Sequence, residues 1–393
     1  MIYVGIDVAK NKHDCCILGM DGEYLCRPFS FDNDSAGFGR LMDAILECSK
    51  HSVSPDGVRA GFEATGHYSE NLAAFLRSNG FEPVVFNPLR VKLHRQASSL
   101  RKTKTDRADA KCIAELLLLD HSNPAPISYQ ISELKSLTRH RSRLVEARGK
   151  CKVHLNRLVD VLFPELQSVV STLTQASVLA LLAELPGAAH IALCRIDRLT
   201  NLLRMASKGR YKRDKAVSIK ALAKDSIGRS SPARSLELQQ VIEQIYFFNS
   251  QIEAVEKQIA CIVSAMDSPL LTIPGIGIII ASVTIAEIGD IRRFNTPDQL
   301  LAFAGLEPST YQSGKFKADR TPMVKHGSTY LRWAVMQAAR LACVHCPDFR
   351  RYMERKLAQG KHYFVALGHL SKKLIRVIFH ILNANEPFVP TMA

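Results

Sequence analysis

Short apolar runs interleave with stretches of helical spacing over the first third of the chain, and helical spacing takes over from there. Ile2–Val8, Asp14–Leu18 and Tyr24–Phe31 predict three consecutive strands, with Asp21-Gly22 turning the first hairpin. Phe38, Leu41, Ile45 and Leu46 place a helix over 35–48. Val58–Glu63 predicts a strand, Ser69–Ser78 a helix closed by Asn79-Gly80, Pro83–Phe86 a strand and Asp106–Leu119 a helix. A hairpin meander followed by alternating units implies a mixed five-stranded sheet with helices on both faces.

His121–Pro126 has the composition of a linker. Beyond it, Leu134, Leu137, Leu144, Cys151, Leu155, Leu158 and Leu162 form one apolar stripe, with Arg141 and Arg148 near its seam. Ile242, Ile245, Phe248, Ile252, Val255, Ile259 and Ile262 form a second. Two such stripes can pair as a hairpin within the chain, pair across a dimer as a coiled coil, or simply face a core. From Pro269 the pattern changes to shorter helices at about 297–304, 329–345 and 364–382. The expected organisation is an α/β domain over 1–125, a helical or coiled-coil region over 126–266 and a small, mostly helical domain over 267–393.

Composition narrows the partner. Lys and Arg total 52 against 37 Asp and Glu, a net charge of +15 over 393 residues. This balance favours a polyanion, with nucleic acid ahead of a membrane because no basic amphipathic helix stands out. Arg204–Arg234 alone carries ten Lys and Arg against two Asp, and reads as a solvated stretch facing nucleic acid. The ten cysteines are scattered like reduced thiols, and the lone Cys343-Val-His-Cys346 lacks a second ligand pair. No signal peptide is expected, and the apolar stretch 273–288 is too short and too glycine-rich to span a bilayer. The expected location is the cytoplasm.

Against that positive background four acids stand out. Asp7 closes the apolar run Ile2-Tyr-Val-Gly-Ile-Asp7, Glu63 closes Ala60-Gly-Phe-Glu63, and Asp106 and Asp109 open a helix one turn apart. A carboxylate at the end of a buried strand is costly unless it is paired or coordinated. Carboxylate oxygens converging from two strands and a helix suit Mg²⁺, with Mn²⁺ a possible substitute. A sheet ordered third, second, first, fourth and fifth strand would set Asp7 beside Glu63. That is the geometry of an RNase H-like fold, in which two metals about 3.5–4 Å apart clamp a phosphodiester.

Other features are weaker taken singly. Leu89–Lys111 reads as a basic loop before the acids, offering Arg95, Arg101, Lys102 and Lys104 to phosphates. Pro274-Gly275-Ile-Gly277 before an apolar helix is similar to the hairpin of a helix-hairpin-helix element, which exposes backbone N–H groups to a DNA phosphate. Ser313-Gly314 sits in a turn among Lys315, Lys317, Arg320 and Lys325, with Arg332 following. Its hydroxyl could serve as a nucleophile if a base or metal activated it.

Taken together, Gly5-Ile-Asp7-Val-Ala-Lys, Glu63-Ala-Thr-Gly-His-Tyr, Lys104-Thr-Asp106-Arg-Ala-Asp109, Leu271-Thr-Ile-Pro-Gly-Ile-Gly277, Phe303-Ala-Gly-Leu-Glu-Pro and Ser313-Gly-Lys-Phe resemble one family. It is the DEDD transposases of bacterial insertion sequences, bridge-RNA-guided recombinases. The resemblance implies a RuvC-like domain binding Mg²⁺ through Asp7, Glu63, Asp106 and Asp109, and a C-terminal transposase domain whose Ser313 forms a covalent phosphoserine link to DNA. It further implies a composite site built from different protomers of a dimer or tetramer. A structured noncoding RNA pairing with donor and target DNA would take over sequence choice, leaving the protein to read backbone and shape. The main alternative is a RuvC-like endonuclease of Holliday-junction type, in which water attacks and no covalent intermediate forms. An actin-like kinase and a non-enzymatic nucleic-acid-binding protein are more distant readings.

Overall fold

The computed structural model of the chain describes residues 1–49, 57–64, 66–98, 105–120, 129–309, 312–313, 316–317 and 321–390. It divides into two compact units, Met1–Ile127 and Ser128–Ala393.

In the first unit, β1 (Ile2–Asp7), β2 (Lys12–Leu18), β3 (Phe29–Asp32), β4 (Val58–Glu63) and β5 (Val84–Phe86) form a sheet ordered β3-β2-β1-β4-β5. β1 pairs antiparallel with β2 and parallel with β4, which continues parallel to β5. α1 (Ser35–Cys48) and α2 (Tyr68–Ser78) cover one face, where Leu41, Ile45, Leu72 and Leu76 meet Val4, Ile6 and Phe62. α3 (Pro88–Ser98) and α4 (Asp106–Leu119) belong to the other, where Val91, Ile113 and Leu117 meet Val84 and Phe86. Gly5 sets how closely α4 approaches: an added Cβ would overlap the backbone of Ala110 and Ala114.

Three local expectations are corrected. The third strand is short, and Tyr24 makes only an isolated bridge to Leu18, since Pro28 interrupts the run and has no N–H to donate. The expected basic loop 89–111 begins as a helix, started by Asn87, whose Oδ1 accepts from Leu89 N at 2.9 Å. Within the expected solvated stretch 204–234, 213–224 is a helix that buries Ala216, Ile219 and Ala223. The linker 121–126 lies outside the described residues.

The second unit is helical. α5 (Tyr129–Leu162) and α10 (Pro232–Met266), of 34 and 35 residues, pack along each other as an intrachain hairpin, so the two apolar stripes partner one another. Each is about 50 Å long at ~1.5 Å per residue. Arg141 pairs with Glu256 at 2.7 Å and Arg148 donates to Asn249 at 2.8 Å, which accounts for arginines on the seam. Between them α6 (Ala176–Glu184), α7 (Ala188–Leu193), α8 (Ile196–Ala206) and α9 (Arg213–Lys224) build a core around Leu155, Leu182, Leu199 and Ile245. At the other end α11 (Ile278–Ile288), α12 (Pro297–Phe303), α13 (Thr329–His345), α14 (Pro347–Ala358) and α15 (Tyr363–Ala384) build another around Ile259, Leu300, Leu331 and Leu374. A two-strand hairpin, β6 (Gln312–Ser313) and β7 (Phe316–Lys317), projects between α12 and α13. Among the described residues no helix is long and apolar enough to cross a membrane.

Candidate active site

Asp7 and Glu63 end neighbouring parallel strands whose last paired residues are Ile6 and Phe62, so both carboxylates leave the sheet at one edge. α4 brings the other two. Its N-cap is Thr105, whose Oγ1 accepts from Ala108 N at 3.3 Å, rather than Asp106; Asp106 thus falls in the first turn with its side chain uncommitted to capping. Asp106 is exposed and Asp109 buried. Burial first, then repulsion from Asp109, Asp106 and Glu63, pushes the Asp7 carboxyl up to about 6. Its interaction with all three makes the four acids electrostatic neighbours.

A fifth acid escaped the sequence reading. Asp14 stands directly opposite Asp7 across the β1–β2 ladder and also raises it. It is buried, accepts from Ser30 Oγ at 2.7 Å and has Lys12 at 4.0 Å. Like-charge partners across a ladder are unfavourable, and the alternation of β2 could have exposed the pair. Arg95 on α3 answers Asp109, donating to its Oδ1 at 2.6 Å. Among the described residues no three His, Cys, Asp or Glu side chains stand ready around a single ion, with Asp109 held by Arg95. The donor set nevertheless fits a hard divalent cation. It is all carboxylate, it lies at one sheet edge, and the charges of Asp109, Asp106 and Glu63 each disfavour ionisation of Asp7.

In the second unit, Ser313 lies in β6 opposite Phe316 of β7, next to the turn of the hairpin. The stem below it is well tied. Pro308 bridges Met323, Ser309 N donates to Pro322 O at 2.8 Å, and Val324 N donates to Glu307 O at 3.0 Å. Arg332 Nη1 donates to the Lys325 carbonyl at 3.1 Å, so one expected phosphate contact also anchors the stem. Lys325 is exposed. Gly275 adopts φ +90° where a Cβ would press on the Leu341–Ala342 backbone of α13, while Gly277 is exposed as N-cap of α11. Lys317 lies in β7, and Arg101, Lys102, Lys104, Lys315 and Arg320 lie outside the described residues.

Behind the stem is a buried charge cluster that the sequence reading also missed. Glu287, 1% exposed on α11, accepts from Arg139 Nε at 2.8 Å, Arg139 Nη2 at 3.1 Å and Ser328 Oγ at 2.8 Å. Ser328 also caps α13, accepting from Leu331 N at 3.1 Å, and Arg139 lies 5.0 Å over the Tyr330 ring. Burial alone would raise the Glu287 carboxyl; the Arg139 hydrogen bonds and the Lys135 charge outweigh it and hold the group below its ordinary value. The signal was present, since Glu287 is an acid inside the apolar run 278–288.

Comparison with known proteins now decides the family. Residues 4–164 match the IS110-type DEDD transposase model, and residues 267–354 match that of the transposase IS116/IS110/IS902 family. The chain belongs to this transposase family. It is therefore an enzyme of DNA transposition and recombination, acting on DNA, and DEDD membership carries dependence on a divalent metal ion. The protein assigned as transposase of the mini-circle IS117 of Streptomyces coelicolor is 25% identical, covering 98% of this chain and 95% of that one. The insertion element IS116 44.8 kDa protein of Streptomyces clavuligerus is 25% identical over 99% of this chain and 96% of its own. The pilin gene-inverting protein of Moraxella bovis is 23% identical, covering 98% and 97%. The first match spans the four acids and the second spans the Ser313 hairpin and Glu287.

Proposed function

We propose that this transposase exchanges DNA strands through a covalent phosphoserine at Ser313, with Asp7, Glu63, Asp106 and Asp109 of an RNase H-like, RuvC-type domain (1–125) as metal ligands. The observation that carries the reading is the Asp7 carboxyl at the sheet edge, raised to about 6 by burial first and then by the charges of Asp109, Asp106, Glu63 and Asp14, in a chain whose net charge is +15. The strand order β3-β2-β1-β4-β5 supports the RuvC-type assignment. A bound Mg²⁺, or Mn²⁺ in its place, would neutralise phosphate charge and ease ionisation of the serine.

The chain's own groups do the rest. The carboxylates would hold the ion at the sheet edge and so set where the scissile phosphate can sit, and the Ser313 hydroxyl attacks phosphorus. An Oγ–P bond forms as the bond to a deoxyribose oxygen breaks, and that oxygen leaves as a hydroxyl carrying the proton. Attack by a hydroxyl of the exchanged strand reverses these steps and returns a proton to Ser313, so no nucleotide cofactor is consumed. A relative named for gene inversion favours this over hydrolysis, because inversion requires rejoining what was cut. Region 126–266 would serve assembly and nucleic-acid contacts, and 267–393 would present the nucleophile. The site would be shared between protomers of a dimer or tetramer, and a structured noncoding RNA would choose donor and target DNA.

Ser313→Ala decides the matter on a denaturing gel. The expected result is intact DNA binding with no protein–DNA adduct. Free cut ends without an adduct in the unaltered protein would instead establish water as nucleophile.

A further inference from the structure

Beside the stem that carries Ser313, a groove of 730 Å³ opens between Leu306, Pro308 and Pro322–Met323 on one side and the first turns of α15 on the other. Its volume falls within the roughly 300–1,000 Å³ of small-ligand sites and is far too small for a duplex. Two properties are unusual. Phe364 (65% exposed) and Val365 (51%) stand in water on its rim, next to Tyr363 (43%). Solvent-facing apolar groups packed that densely mark a contact surface. The polar lining is cationic: Lys361, His369 and Lys372, with no acid among the described lining residues. Burial first, then the charges of Lys361, Lys356 and Lys372, lowers the His369 pKa, so three lysines act on this ring.

The floor adds a third observation. Gly368 sits inside α15, in its second turn, where glycine costs helix stability relative to alanine. Nothing crowds it, for an added Cβ would meet only Met323 Cε at 3.9 Å. Its missing side chain keeps the groove open rather than letting two backbones approach.

We propose that this groove binds one unpaired nucleotide of the DNA strand undergoing exchange, its base stacked on Phe364 and its phosphate held by Lys361 and Lys372. Aromatic rings plus a cationic lining are the elements by which proteins hold single strands. DNA is the occupant because the groove abuts the stem of the strand-exchange hairpin; the inference rests on the proposed function for that point alone. Holding a base out of the stack beside the nucleophile would keep the cut strand from re-annealing before exchange.

The test uses the full-length protein and a short single-stranded DNA carrying 2-aminopurine, without metal, so that no chemistry is needed. The unaltered protein is expected to quench the fluorophore on binding. Phe364→Ala should abolish the quench and weaken binding roughly tenfold. Lys361→Ala with Lys372→Ala should reduce the salt slope by about one to one and a half. Gly368→Leu, a better helix former that fills the floor, should block the quench while leaving the melting temperature equal or higher. Quenching that survives both Phe364→Ala and Gly368→Leu would overturn the proposal, as would stronger binding of an RNA of the same sequence. Asp7→Asn and Ser313→Ala should quench normally, so this assignment and the catalytic one fail separately.

Discussion

Arg95 on α3 and Asp109 on α4 form a 2.6 Å ion pair, and the Asp109 charge is in turn felt by Asp7 at the end of β1. On the proposed metal role of Asp109, the guanidinium competes with a bound cation for Oδ1 of that carboxylate. In Arg95→Gln the largely buried Asp109 loses its counter-charge, and the metal-free protein should lose about 1–3 kcal/mol. Mn²⁺ should then raise the melting temperature more in the variant than in the parent. A thermal-shift titration checks this, and equal shifts would show that the two cations do not compete.

Asp7 sets a pH dependence. Its folded pKa, about 6, lies above the ordinary value of 3.8, so the folded state holds this proton more tightly than the unfolded chain. The associated stability is complete below pH 4 and is lost as pH rises through about 6. Asp7→Asn should therefore stabilise the metal-free protein at pH 7.5, by ~1–3 kcal/mol, and have little effect at pH 4. Chemical denaturation at the two pH values measures the difference.

Glu287 should show the opposite sign in the other unit. Its folded pKa lies below 4.5, so its contribution is present above that value and lost as pH falls through the folded pKa. Glu287→Ala removes the acid that Arg139, Lys135 and Ser328 face and, with the Arg139 side chain 40% exposed, should cost about 1–3 kcal/mol. Loss of the Ser328 contact should also loosen the 305–328 stem, read as faster proteolysis there.

Gly5→Ala tests how α4 is seated. A methyl at this position overlaps the Ala110 and Ala114 backbone, which lies inside a buried helix and has no rotamer to escape into. The variant should lose at least ~2 kcal/mol and its thermal response to Mn²⁺, because α4 carries Asp106 and Asp109. Gly39→Ala, where nothing lies within 4 Å, should be neutral or stabilising by up to ~1 kcal/mol.

The sequence was most legible where an element buries a full apolar face. α1, β4, α4 and α13 fall at the expected bounds, and the sheet has the expected strand order. α3 was hidden because Val91 is the one side chain it buries, and its charges read as a loop. Asp7 and Glu63 were found as acids ending apolar runs, and the same logic applied to Glu287 would have found the second buried cluster. The Arg95–Asp109 pair was beyond reach: it joins two helices through a helix that periodicity did not reveal.

The hairpin of α5 and α10 spans both cores of its unit, with polar rungs from His154–Glu237 at one end to Arg141–Glu256 towards the other. Because neither helix is interrupted, a tilt imposed at one tip is delivered to the far tip as displacement, in proportion to the arm's length. A load placed on the α6–α9 end would therefore act with leverage on the end that bears the β6–β7 hairpin.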